Sequence, residues 1–84
     1  VAVDEAVLKI VPNPAVESVM IYTGINRDSG SLSIYTVEGR LVKNILVNSN
    51  RLQLDINDLS SGIYLVDLRN EEGNSIRKAK LLKQ

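Results

Sequence analysis

From Arg51 to Ile56 the chain alternates without a break. Leu52, Leu54 and Ile56 are aliphatic, and Arg51, Gln53 and Asp55 between them are charged or polar. A period of two suits an extended strand, whose successive side chains point to opposite faces of the pleat; a helix would scatter the same aliphatics around its axis. The segment therefore reads as a strand with one face buried and the other wet. The same spacing recurs in other short runs. Val19 and Ile21 share a face against Met20 and Tyr22, Leu32 and Ile34 alternate with Ser31 and Ser33, and Tyr64, Val66 and Leu68 fall together. Extended runs are predicted at 7–11, 16–23, 31–37, 41–47, 51–56, 63–70 and 75–82.

Turn chemistry separates these runs. Pro12-Asn13-Pro14 ends the first, because two backbone donors are missing and residues before proline are held extended. Asn26-Arg27-Asp28-Ser29-Gly30, Asn48-Ser49-Asn50 and the stretch from Asn57 to Gly62 are turn-rich, and Glu38-Gly39 and Glu71-Glu72-Gly73 read as hairpin signals. About seven short strands with turns every 8–12 residues or so predict an all-β antiparallel sandwich. Leu52, Leu54, Ile56, Tyr64, Val66 and Leu68 are its expected core. Residues 1–6, broken by Asp4 and Glu5, read as a linker or the tail of a preceding domain, and residues 7–84 as one domain. Val1 in place of Met, with no leader pattern, reads as an excised or processed piece, in which a targeting signal at the parent's N-terminus would not be seen.

A domain of 84 residues buries only about 60–65% of the surface its unfolded chain exposes, so a roomy ligand pocket would compete with the core for the same side chains. Cysteine and histidine are both absent, which removes disulfides, thiol chemistry, the commonest metal ligand and the usual acid–base group at neutral pH. Ten basic and ten acidic residues cancel, so no overall field steers the chain to nucleic acid or to an anionic membrane. Ser60-Ser61 has no histidine to activate a hydroxyl, and Glu71 and Glu72 sit in a turn facing water. Asp55, Asn57 and Asp58 fail the calcium-loop pattern at Leu59 and read as turn chemistry. Neither an enzyme nor a cofactor is expected, and no small-molecule substrate or nucleic acid partner.

Leu59, Gly62 and Tyr64 are spaced as in a tyrosine corner, where a tyrosine hydroxyl ties the turn before its strand back to the backbone. Gly62 and Gly39 are expected to supply backbone angles that a side chain would forbid. In the last run Lys78 and Lys80 fall with Ile76 and Leu82, and Arg77 falls with Ala79 and Leu81. Neither face is cleanly apolar, which fits a sheet edge better than a centre. Arg77, Lys78, Lys80 and Lys83 make this run cationic, either to discourage edge-to-edge aggregation or to dock a partner.

Four motifs occur in order: Val11-Pro12-Asn13-Pro14-Ala15; Ile34-Tyr35-Thr36-Val37-Glu38-Gly39-Arg40-Leu41-Val42; the stretch from Leu54 through Leu59, Gly62 and Tyr64 to Val66; and Lys78-Ala79-Lys80-Leu81-Leu82-Lys83. Together they resemble the type A C-terminal sorting domain of the type IX (Por) secretion system of Bacteroidota, over about residues 8–84. Two positions depart from the pattern: Val11 stands where the family often has Tyr, and Leu82 where it often has a β-branched residue. The resemblance implies an immunoglobulin-like sandwich of seven strands that directs a cargo protein across the outer membrane. It implies passage through the periplasm, recognition by shuttle and translocon components, and removal by a surface sortase that attaches the cargo to the cell surface. The resemblance assigns Pro12, Asn13, Pro14, Gly39, Arg40, Leu59, Gly62 and Tyr64 as family-motif residues and tips the cations toward docking the translocon. The alternative is a structural or adhesive immunoglobulin-like domain of a surface protein. Pairing of two copies through sheet edges, or by exchange of residues 1–11, is a further expectation.

Overall fold

The computed structural model describes residues 8–23 and 30–84. The linker assigned to residues 1–6 and most of the turn at 26–30 lie outside the described residues. Seven strands follow in order: β1 (Lys9–Val11), β2 (Ser18–Tyr22), β3 (Gly30–Thr36), β4 (Leu41–Val47), β5 (Arg51–Asp55), β6 (Gly62–Asn70) and β7 (Ser75–Lys83). They form two antiparallel sheets, one ordered β1-β2-β5 and the other β4-β3-β6-β7. The result is the expected all-β, immunoglobulin-like sandwich.

Parity decides which side chains enter the core. Ile10, Val19, Ile21 and Leu54 point inward from the three-stranded sheet, and Leu32, Ile34, Tyr64, Val66, Leu68 and Leu81 from the four-stranded sheet. Ile56 and Leu59 close one end from the loop after β5. Leu52 is only half-buried, because β5 is the edge of its sheet and has β2 on one side alone. The β3–β4 hairpin turns at Gly39, whose φ of 94° is one that side chains avoid, and Gly39 N–H donates to the Thr36 carbonyl at 2.9 Å. Arg40 enters this turn through its backbone: its N–H donates to Thr36 Oγ1 at 3.1 Å, and its carbonyl accepts from Thr36 N–H. Its side chain faces solvent.

The proline corner joins the two sheets. Both prolines follow cis peptide bonds. Upstream of the corner, β1 pairs with β2; downstream, Ala15 forms a parallel bridge with Lys83 on the other sheet. Asn13 lies between and acts as a short surrogate strand along the edge of β7. Its Nδ2 donates to the Lys80 carbonyl and its Oδ1 accepts from Leu82 N–H, both at 2.9 Å. Ala15 continues the ladder, with its N–H to the Leu82 carbonyl and its carbonyl from Gln84 N–H, each at 2.8 Å. An amide carries the same donor and acceptor as a peptide group, which is why asparagine suits this position. Asn13→Ala should cost about 1–3 kcal/mol, because it removes two hydrogen bonds to β7 worth about 0.5–1.5 kcal/mol each; chemical denaturation of the two proteins measures it, and an unchanged midpoint would contradict the role.

Candidate docking surface

The loop between β5 and β6 is built to present two carbonyls to inward side chains, one to Tyr64 of β6 and one to Lys83 of β7. Asp55 Oδ1 accepts from Asn57 N–H at 2.9 Å, which starts the turn, and Leu59 N–H donates to the Ile56 carbonyl at 3.0 Å. Buried Tyr64 reaches back four residues, and its hydroxyl donates to the Ser60 carbonyl at 2.6 Å, the geometry of a tyrosine corner. Gly62, at the start of β6, has φ of 150°, which permits the sharp entry into the strand. The neighbouring Leu59 carbonyl accepts from Lys83 Nζ at 3.0 Å. Lys83 is only 8% exposed.

The four cations of β7 therefore divide. Lys83 shares the inward parity of Leu81 and is used inside the fold, as a tie between the last strand and the 56–62 loop. Arg77 also has inward parity, opposite Leu68, and is half-buried. Lys78 and Lys80 alone of the four combine exposure with outward parity. The alternation that put Leu81 inside already assigned Lys83 to the same side; the carbonyl that receives it became visible only in the folded chain.

On the outer face of the four-stranded sheet, cross-strand partners form rows. One row runs Leu41, Tyr35, Leu65, Lys80 and the next Asn44, Ser33, Asp67, Lys78. Beyond the first row, Ile63 stands opposite Leu82. In the polar row, Asn44 Nδ2 donates to Ser33 Oγ at 2.8 Å. Asp67 pairs with Arg69 at 3.0 Å and accepts from the Ser75 hydroxyl. These bonds explain how Ser33 and Asp67 are buried on a face that points away from the core. A shallow groove of about 400 Å³ opens between Tyr35, Leu65, Lys78 and Lys80, with Asp67 and Ala79 in its wall. β7 is the edge of the sheet, and Asn13 and Ala15 cover only its end from Lys80 onward; upstream of that point β7 pairs with β6 alone among the described residues, and its outer edge has no partner strand.

The family model described as a secretion system C-terminal sorting domain matches residues 9–82. The chain belongs to that family. No curated protein matches it. As a sorting domain of type IX secretion it is a signal for export toward the cell surface or the extracellular space, and a role as a structural or adhesive module is not favoured. The three tyrosines of the sorting domain are dispersed, with Tyr64 in the core, Tyr35 on one sheet and Tyr22 on the other, under Lys9 Nζ at 6.0 Å. They form no platform on which a sugar could stack. Of the motif residues, Asn13 ties the corner, Gly39 and the Arg40 backbone the hairpin, and Leu59 and Tyr64 the 56–62 loop, each through hydrogen bonds inside the fold. Sequence reasoning missed Lys43, whose Nζ pairs with Asp58 at 3.0 Å; the two stand 15 positions apart, on β4 and in the 56–62 loop.

Two expected outcomes follow from this arrangement. Lys83→Ala should destabilise the sorting domain by about 1–3 kcal/mol, by leaving the Leu59 carbonyl without its donor, whereas Lys78→Ala should change stability by under about 0.5 kcal/mol; equal thermal midpoints for the two variants would refute the division. The hydrogen bond from Lys43 holds the Asp58 carboxyl below its ordinary pKa of 3.8, so the contact favours the fold above that value and is lost as pH falls through the lower, folded one. In a carbon-detected titration Lys43→Met should raise the Asp58 midpoint.

Proposed function

We propose that this domain is an address read by the type IX machinery in the periplasm and at the outer-membrane translocon, and that the β6–β7 hairpin, residues 62–84, carries most of that recognition. The observation that supports the reading is the free edge of β7 around Lys78, flanked by the exposed side chains of Lys78 and Lys80. An uncovered edge offers unpaired N–H and C=O groups, so a receptor can add a strand there and read the cations beside it. The domain has no chemistry of its own in this scheme: a surface sortase removes it and attaches the cargo to the cell surface. Residues 1–6 serve as the link to that cargo. Pairing of two copies is a second reading, supported by the open edge of β4 and by Leu46, which is 86% exposed on it.

The export test fuses residues 1–84 to a periplasm-directed fluorescent protein in a host with type IX secretion. The unmutated fusion should reach the cell surface, and its retention beside an exported sorting-domain control would overturn the reading. Lys78→Glu with Lys80→Glu should leave the domain folded, since exposed charge changes cost under about 0.5 kcal/mol each, yet keep the reporter in the periplasm. Gly62→Val should instead prevent folding, because a β-branched residue does not tolerate the backbone angle found there. Surface delivery of the double charge reversal at the wild-type level would remove the lysines from recognition.

A further inference from the structure

The outer face of the four-stranded sheet carries an apolar patch that the recognition edge does not account for. Leu41, Ile63, Leu65 and Leu82 are each between 39% and 51% exposed, and the register makes them contiguous around Tyr35. Isolated exposed aliphatics are ordinary on protein surfaces, but a contiguous group with a polar rim marks a contact surface. The rim on one side is polar and internally satisfied, through Asn44 with Ser33 and Asp67 with Arg69 and Ser75. At the β7 end of the polar and apolar rows stand Lys78 and Lys80, for which no described acid forms an ion pair. Asp67 is directly opposite Lys78, yet its carboxylate is engaged by Arg69 and Ser75.

We infer that this face docks an extended or amphipathic protein segment that places an apolar side chain in the groove between Tyr35 and Leu65 and carboxylates against Lys78 and Lys80. Charge complementarity selects that occupant. A second copy of this chain would bring an equally cationic face, and like charges across an interface oppose association. A bilayer surface would satisfy the lysines but leave the groove of about 400 Å³ unfilled, whereas a side chain on a strand fits such a recess. The inference rests on the sorting reading only in taking the partner to be a component of the export machinery; the surface chemistry stands by itself.

The test is an amide-resolved NMR titration of the 84-residue chain with a synthetic peptide of about eight residues, the length of an ordinary strand, alternating leucine and aspartate. Saturable shifts should centre on Tyr35, Ile63, Leu65, Lys78 and Lys80. A matched peptide with lysine for aspartate should bind more weakly by about fivefold or more, the scale that two exposed ion pairs supply. Lys78→Gln with Lys80→Gln should erase the difference between the peptides while the thermal midpoint stays put. Any of four results would overturn the inference: no saturable binding, equal affinity for both peptides, shifts confined to other faces, or dilution-dependent shifts on this face without peptide. Phosphatidylglycerol vesicles run in parallel must not displace the peptide as the better ligand. Because the titration needs no secretion machinery, a chain that binds the acidic peptide but is not exported would count against the sorting reading alone. An exported chain whose sheet face ignores the peptide would count against this inference alone.

Discussion

Four hydrogen bonds between residues 13–15 and residues 80–84 hold the two ends of the sandwich together. Two come from one asparagine side chain and two from the backbone of Ala15. The seam matters because each sheet is hydrophobic on one face only and must bury it against the other. Short β1 belongs to the three-stranded sheet and Ala15 to the edge of the four-stranded one, so the corner between them crosses the core at its rim. Lys83 strengthens the same region from inside by donating to the Leu59 carbonyl, and Tyr64 secures the next carbonyl along.

That seam gives β7 two unequal halves. From Lys80 to its end the strand is bonded on both sides, to β6 and to the corner, and its inward side chains are locked. From Ser75 to Ala79 it has β6 on one side only among the described residues. A single strand thus anchors the fold at one end and displays backbone and charge at the other. An edge strand is ordinarily a hazard, and lysines beside it are a common safeguard against self-pairing. Here the safeguard and the recognition feature can be the same two residues, since cations that repel a second copy attract an acidic partner.

The outer face of the four-stranded sheet follows a related logic. In its polar row Asn44, Ser33 and Asp67 are satisfied by side-chain bonds within the sheet, so these three neither need nor invite an outside partner. Its apolar rows have no such closure. Tyr35, Leu65 and Leu41 obey the alternation that buries Ile34, Val66 and Leu68, but on the side that no other layer of the described residues covers.

Strand number, strand limits to within one or two residues, and the inward face from β5 to β6 were legible in the sequence, because a period of two leaves only one register that buries Leu54, Ile56, Tyr64, Val66 and Leu68 together. The tyrosine–glycine spacing and the proline corner were legible as local signals. Which strands share a sheet was not, since β4 and β5 adjoin in the chain yet belong to different sheets. Nor was the destination of each polar group. Asn13 reaches Lys80 and Leu82 across 67 and 69 positions, and Lys83 reaches Leu59 across 24. Alternation tells a side chain which face to take and says nothing of what waits there; a hydrogen bond between distant segments exists only after packing has brought donor and acceptor within 3 Å or so. That is why the lysines of β7 look alike in sequence, while the tertiary structure makes one of them a fastener and leaves two of them exposed.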